Sequence, residues 1–298
     1  MDWMQKWIVT TPGKRTPLKH PPLRVPAQTL EEESQDALLG LVLTATFPVF
    51  VGVTLLVTFA FQSWGEPLGQ VLADAGLTLV GWLIVLAFAV RSCRKQLGQV
   101  RNLRLGMQAE RFVGQQLERS RRLGYSVFHD LVDEKRKFNI DHVAIGPAGV
   151  FVVETKGRSK PLRGKAKDIR ITFDGQALAF MEDGDTRCKT DAPLGQVEAN
   201  ARWVRELLTK LLADRGNRVC RFARDRPMPM SPVVVYPGWF IDFDRAKKQG
   251  YTTAVTNDRN LLRYIRRCPQ RLSKDEVLEL SALLGEYLRD ERRHLIEV

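Results

Sequence analysis

From Ala37 to Phe61 the chain runs for about 25 residues without a charge, interrupted only by Pro48 and a few glycines and threonines. At 1.5 Å per helical residue this is long enough to cross a hydrocarbon core of about 30 Å. The run is apolar around its whole circumference and lacks the polar face of an amphipathic helix, which argues against a pair of buried core helices. A second apolar run, Ala75 to Val90, is shorter at about 16 residues and extends backwards through Val71 and Leu72. Asp74 decides its depth: placed at the interface it lets the helix span, and placed deeper it makes the segment re-entrant.

Lys6, Lys14, Arg15, Lys19 and Arg24 precede the first run, and Arg91, Arg94, Lys95, Arg101 and Arg104 follow the second. The loop between them, Gln62 to Asp74, holds Glu66 and Asp74 but no Lys or Arg. The positive-inside rule then predicts a multi-pass protein of the cytoplasmic (inner) membrane, with both termini in the cytoplasm; Glu31, Glu32, Glu33 and Asp36 count for little in that rule. The first run begins too far in and is too long for a signal-peptide core. The 298 residues are expected to divide into a basic Pro-rich tail (1–36), a two-helix transmembrane hairpin (37–90), a basic juxtamembrane helix or linker (91–104) and a soluble domain (105–298) able to bury its own core.

Within that domain the segment Phe138 to Gly157 reads as a β-hairpin. Ile140, Val143 and Ile145 lie on one arm and Val150 to Val153 on the other, with Gly146-Pro147-Ala148-Gly149 as a four-residue loop. If Ile145 and Val150 close the loop, antiparallel counting pairs Val143 with Val152 and Asp141 with Glu154, leaving two carboxylates roughly 5 Å apart on one face. Like charges directly opposed destabilise a sheet, and a divalent cation between them reverses that sign. Lys156 shares the face of Glu154 by strand alternation, while Thr155 points away. An ordinary solvated strand face is the competing reading, and these strands are too apolar for it.

Four pieces in this order resemble the nuclease-related domain (NERD) family of the PD-(D/E)xK restriction-endonuclease-like superfamily. They are Gly106-Met107-Gln108-Ala109-Glu110, the Ile140-Asp141-His142 step, the strand Gly149 to Lys156, and Asp191-Ala192-Pro193-Leu194-Gly195-Gln196. The resemblance covers roughly Leu105 to Leu212, with Asp191 standing where many members carry Asn. It implies an α/β/α core around a central mixed β-sheet. It further implies that Asp141 and Glu154, with the Thr155 carbonyl, ligate Mg²⁺ or Mn²⁺, that Lys156 orients water and stabilises developing charge, and that Glu110 and Gln196 are accessory. Hard cations prefer such oxygen donors. On a helix from about Leu105, the residues Leu105, Ala109, Phe112, Val113 and Leu117 form the expected buried stripe, with Glu110 at its edge. Gln196 opens a helix whose Val197, Ala201, Val204, Leu208 and Leu211 recur at helical spacing. His142 alternates to the face opposite Asp141 and reads as a packed or hydrogen-bonded histidine.

Further elements are legible as an α/β mixture. Ile169 to Phe173 and Ala177 to Phe180 read as strands about an Asp174-Gly175 turn, Pro193 to Ala213 as a helix, and Pro232 to Tyr236 as a strand. Asn257 caps a helix to about Arg266, and Ser273 with Glu276 forms a capping box for a helix through Leu288. Cys93, Cys188, Cys220 and Cys268 form no Cys-x-x-Cys pair, and there is no phosphate-binding glycine loop.

A net charge of +12 favours polyanions. The cluster from Arg91 to Arg104 suits anionic headgroups of the bilayer. Lys135, Arg136 and Lys137 before the hairpin, and Arg158, Lys160, Arg163, Lys165 and Lys167 after it, are placed to hold a DNA backbone. With no aromatic platform or recognition helix in view, binding is expected to follow phosphate more than base sequence. The expected function is a membrane-anchored, cytoplasm-facing, metal-dependent nuclease acting on DNA, with RNA as second polymer. Double-strand cleavage calls for a homodimer or two sequential nicks. The alternatives are a catalytically silent nucleic-acid- or protein-binding module tethered to the membrane, and a membrane scaffold with another ligand.

Overall fold

The computed structural model describes residues 23–133, 138–160, 169–214, 227–243 and 252–297. They form two compact units, one of residues 27–109 with 157–159 and the other of the rest.

The first unit holds two helices long and apolar enough to cross a membrane. Helix α1 is Gln28–Gln62, and α2 begins at Leu68 and ends at Glu118. Leu43, Phe50, Leu56, Leu72, Leu77 and Phe88 are among many large apolar side chains left bare on their surfaces, as lipid-facing residues would be. Polar contacts tie the two together. Trp82 Nε1 donates to the Pro48 carbonyl at 3.0 Å, and Gln96 Nε2 donates to Thr44 Oγ1 at 3.0 Å. Close approach requires Gly52, where a Cβ would stand 2.7 Å from Trp82 Nε1. Two expectations sharpen here: Asp74 lies inside α2, and the basic segment 91–104 is helical, part of a helix with no break at Leu105.

In the second unit a 3-10 turn (Arg119–Leu123) leads into β1 (Ser126–Asp133), β2 (Phe138–Gly146) and β3 (Gly149–Thr155). There follow β4 (Arg170–Phe173), β5 (Leu178–Glu182), β6 (Asp185–Thr190), α3 (Ala192–Asp214), β7 (Met230–Val235), β8 (Ile241–Phe243), β9 (Ala254–Thr256), α4 (Asp258–Arg267) and α5 (Lys274–Glu297). The central sheet has the order β1-β2-β3-β7-β9. It is mixed: the first two pairings are antiparallel and the last two parallel. On one face Val143, Val150 and Val152 meet Val197, Val204 and Leu208 of α3 and Leu280 and Leu284 of α5. On the other, Ala144, Phe151 and Val153 meet Val113 and Leu117 of α2 and Leu261 and Ile265 of α4. This is the expected α/β/α layering.

A second sheet, β6-β5-β4-β8, lends Ile171, Phe173, Leu178 and Phe180 to the α3 core. Sequence reasoning found β4, β5 and their turn, where N–H groups of Gln176 and Ala177 donate to Asp174 Oδ1 and hold its carboxyl down at about 2. It did not find β1, β6, β8 or β9. Both predicted caps are in place: Asn260 N–H donates to Asn257 Oδ1 at 3.1 Å, and Ser273 and Glu276 exchange hydrogen bonds of 2.7 and 3.3 Å.

The hairpin loop is tighter than expected. Gly146 pairs with Gly149, so only Pro147 and Ala148 make the turn. Gly149 has φ of 127°, and a Cβ there would sit 2.6 Å from the Pro229 carbonyl oxygen. Pro147 O accepts the N–H groups of Arg271 and Leu272 at 2.7 and 2.9 Å, clasping the turn from far along the chain. Gly149→Ala meets both the strain and the collision, and is expected to lower stability by about 1–3 kcal/mol, read as a lower thermal midpoint of the full chain in detergent.

Candidate functional site

Strand β3 is buried along its whole length, and its last residues carry the chemistry. Glu154 is 3% exposed, Asp141 4% and Glu110 6%. The β2–β3 ladder follows the expected register through His142 opposite Val153 and stops there. Asp141 and Glu154 are therefore not the directly opposed ladder pair expected. Instead Asp141 Oδ2 accepts the Thr155 N–H at 2.6 Å, a carboxylate in the place of a ladder carbonyl.

A second irregularity lies next door in β1. Phe128 and Val143 share a core with Leu131 and Ile140, although each pair stands three positions apart along its strand and strict alternation would send them to opposite faces. Asp130, between them, has φ of 50°, a left-handed conformation that turns the strand over. Its buried carboxylate is held by Arg24 Nε at 2.5 Å and Asn139 Nδ2 at 3.1 Å.

Glu154 is gripped from two sides. Lys156 Nζ donates to Oε1 at 2.7 Å, and Asn200 Nδ2 donates to Oε2 at 3.3 Å. Lys156 Nζ also donates to Gln196 Oε1 at 2.9 Å, so Gln196 reaches the hairpin as expected. Gln196 and Asn200 are four residues apart on the first turns of α3, hence on one face. Asn200 escaped sequence reasoning. The available signal was a buried-stripe position, between Val197 and Ala201, occupied by an amide.

Glu110 differs from its expected place. It lies within the buried stripe of α2, with Ala109, Val113 and Leu117, rather than at its edge. Phe112, assigned to that stripe, is 42% exposed, and Gly114 takes the buried position. Leu105 is half-buried.

Asp141 and Glu154 are thus buried beside one another, with Glu110 within electrostatic reach of Asp141 and Lys156 ion-paired to Glu154. Burial pushes the Asp141 carboxyl well above its ordinary range, and the charges of Glu154 and Glu110 push further in the same direction; the Thr155 N–H and Lys156 oppose them. Burial also raises Glu154, against the pull of Lys156. Among the described residues no three His, Cys, Asp or Glu side chains converge on one metal position. A hard cation here would take Asp141 and Glu154, with the Thr155 carbonyl and water completing its oxygen shell, a donor set of the type Mg²⁺ and Mn²⁺ accept.

His142 is buried on the opposite face, as expected. Its Nδ1 lies 2.9 Å from His129 Nδ1, and His129 Nε2 lies 2.8 Å from Glu118 Oε1. Burial, then His129, holds His142 well below its usual range. Glu118 is pulled down chiefly by Arg121. An ionised Glu118 accepts from His129 Nε2–H, so neutral His129 accepts at Nδ1 from the Nδ1–H of His142.

Of the basic residues assigned to nucleic acid, Lys135, Arg136, Lys137, Arg163, Lys165 and Lys167 lie outside the described residues. Arg158 is exposed. Lys160 is exposed too, with Nζ 5.3 Å from the centre of the Trp239 ring.

Residues 105–237 match the family model of the nuclease-related domain. The match begins at Leu105, as the motif resemblance did, and extends past Leu212 to take in β7. No curated protein and no solved structure matches the chain.

The raised Asp141 gives a pH signature. In the folded chain this carboxyl retains its proton above the ordinary carboxylate range, where the unfolded chain has lost it. Its contribution to stability is full below the unfolded pKa and is lost as pH rises through the raised value. Asp141→Asn keeps an acceptor for the Thr155 N–H and removes the charge. In EDTA it is expected to melt above the native chain near pH ~7.5, the gap closing towards pH ~4, as measured by thermal unfolding of the full chain in detergent.

Proposed function

We propose, on the premise that residues 105–237 form a nuclease-related domain, that this chain is a divalent-metal-dependent phosphodiesterase. Its substrate is nucleic acid, DNA first and RNA second, and it is carried by a two-helix membrane anchor with the domain on the cytoplasmic side. The observation that carries the reading is the end of β3, where Asp141 and Glu154 are buried, Glu110 acts on Asp141 through its charge, and Lys156 Nζ lies 2.7 Å from Glu154. A surface that only binds a polyanion has no use for three buried carboxylates.

In this reading Asp141, Glu154 and the Thr155 carbonyl hold Mg²⁺ or Mn²⁺. Such a cation, when bound, polarises a phosphoryl oxygen and lowers the pKa of a bound water. The chain's own residues do the rest. Lys156, which directly follows Thr155, Asp141's hydrogen-bond partner, and reaches Glu154 and Gln196, orients the attacking water and stabilises charge developing on phosphate. Gln196 and Asn200 fix Lys156 and Glu154 from the same face of α3, so neither group must reorganise when substrate arrives. Glu110 adds negative potential beside Asp141 and thereby raises the site's demand for a cation.

The anchor reading rests on α1 and α2. Its orientation rests on the arginines and lysines that flank both apolar runs and are missing from the loop between them. One such site cuts one strand, so double-strand cleavage takes a homodimer or two sequential nicks.

The test uses the full chain in nanodiscs with supercoiled plasmid, single-stranded DNA and RNA, in Mg²⁺, Mn²⁺ or EDTA. Metal-dependent cutting is expected from the native chain, with Asp141→Asn and Lys156→Ala each slower by at least ~100-fold. Intact substrate in every lane, from protein with a native melting transition, would sink the catalytic reading and leave a tethered binding module.

A further inference from the structure

Four arginines, Arg259, Arg263, Arg266 and Arg267, are exposed on the ten-residue helix α4. Leu261 and Ile265 face the sheet, and at 3.6 residues per turn all four arginines fall on the side opposite to them. Elsewhere Arg121, Arg170 and Arg187 sit against Glu118, Asp242 and Glu182. Among the described residues none of the four on α4 has an ion-pair partner. The only carboxylate on the helix, Asp258, is taken by the Gly238 N–H at 2.7 Å.

Helix stability accounts for two of these arginines and not for the others. Arg266 and Arg267 are in the last turn, where the helix dipole favours cations. Arg259 is in the first turn, where the dipole opposes it, and its four-residue spacing from Arg263 sets like charges together. Position points the same way. Thr256 of β9 pairs with Val235 of β7, which pairs with Thr155 of β3, and Asn257 then caps α4. Arg259 therefore starts from the same end of the sheet as Glu154 and Lys156.

We propose that the arginine face of α4 is a track for the phosphate backbone of nucleic acid, with Arg259 at its site-proximal end. Arg259 and Arg267 are about 12 Å apart along the axis, the rise of three to four nucleotides. The guanidinium fork matches phosphate oxygens as a lysine ammonium does not. The track is separate in sequence from both basic runs that flank the hairpin. Its polyanion is named from the phosphodiesterase reading; its charge and exposure are independent of it.

The test is duplex binding to the full chain in nanodiscs of zwitterionic lipid, in EDTA, by fluorescence anisotropy from ~50 to ~200 mM salt. The triple variant Arg259→Gln, Arg263→Gln, Arg267→Gln is expected to bind at least ~10-fold more weakly at the low salt, with a salt slope shallower by about two to three. The corresponding Arg→Lys triple keeps most of that slope. Equal affinity and slope in the native chain and the Gln variant would overturn the track. So would unchanged duplex binding with loss of binding to phosphatidylglycerol bilayers, which would assign the face to lipid. EDTA uncouples this from cutting: weaker binding by the variant, with no cleavage by the native chain in metal, overturns the phosphodiesterase reading and leaves the track standing.

Discussion

The hydrogen bond from the Thr155 N–H to Asp141 sets the geometry of everything around it. A β-ladder satisfies each backbone donor with a backbone acceptor, and a buried donor left without one is costly. Where the β2–β3 ladder stops, a side-chain carboxylate takes over that duty. It thereby brings a negative charge into the interior beside Glu154 and within the field of Glu110. Asp141 cannot be moved to relieve the repulsion without orphaning the Thr155 N–H. The strain is electrostatic, and it is held in place by backbone hydrogen bonding.

That arrangement depends on layers further out. The reversal at Asp130 swings Leu131 and Ile140 back into the α3 core. Arg24 and Asn139 hold the Asp130 carboxylate that accompanies the turn. On the other side α3 presents Gln196 and Asn200 from one face while Val197, Ala201 and Val204 anchor it to the sheet. The helix rotation fixed by the apolar stripe is what aims the amides. Core packing and site geometry are here a single constraint.

Much of this was readable from residues alone, for local reasons. Ile145 opposite Val150, the Asn257 cap and the Ser273–Glu276 box follow from nearest neighbours and turn chemistry. The Glu154–Lys156 contact follows from strand alternation, whereas the direct pairing of Asp141 with Glu154 expected from the same counting is replaced by the Thr155–Asp141 hydrogen bond. What escaped depends on partners distant in sequence. β9 is three residues long and earns its place by lying beside β7. β8 is as short and pairs with β4 across about 70 residues. The exposed strand β6 has no apolar alternation to betray it. Glu110 looked marginal because a carboxylate in a buried stripe contradicts its own periodicity, yet it is buried there with its charge acting on Asp141. Phe112 erred the other way, an apolar residue left outside, while Gly114 takes the buried position with Pro26 packed close against it.

The clasp on the Pro147 carbonyl also fixes when, during synthesis, this hairpin can be finished. Its donors, the N–H groups of Arg271 and Leu272, are translated about 125 residues after the turn they hold, roughly 6–25 s later at ordinary elongation rates. Both apolar helices have left the ribosome long before then. A chain still being made thus has both apolar helices in hand while the Pro147 turn remains unclasped, and a truncated product ending before Arg271 never acquires the clasp at all. The turn that joins β2 to β3 is thus closed only by residues made long after it.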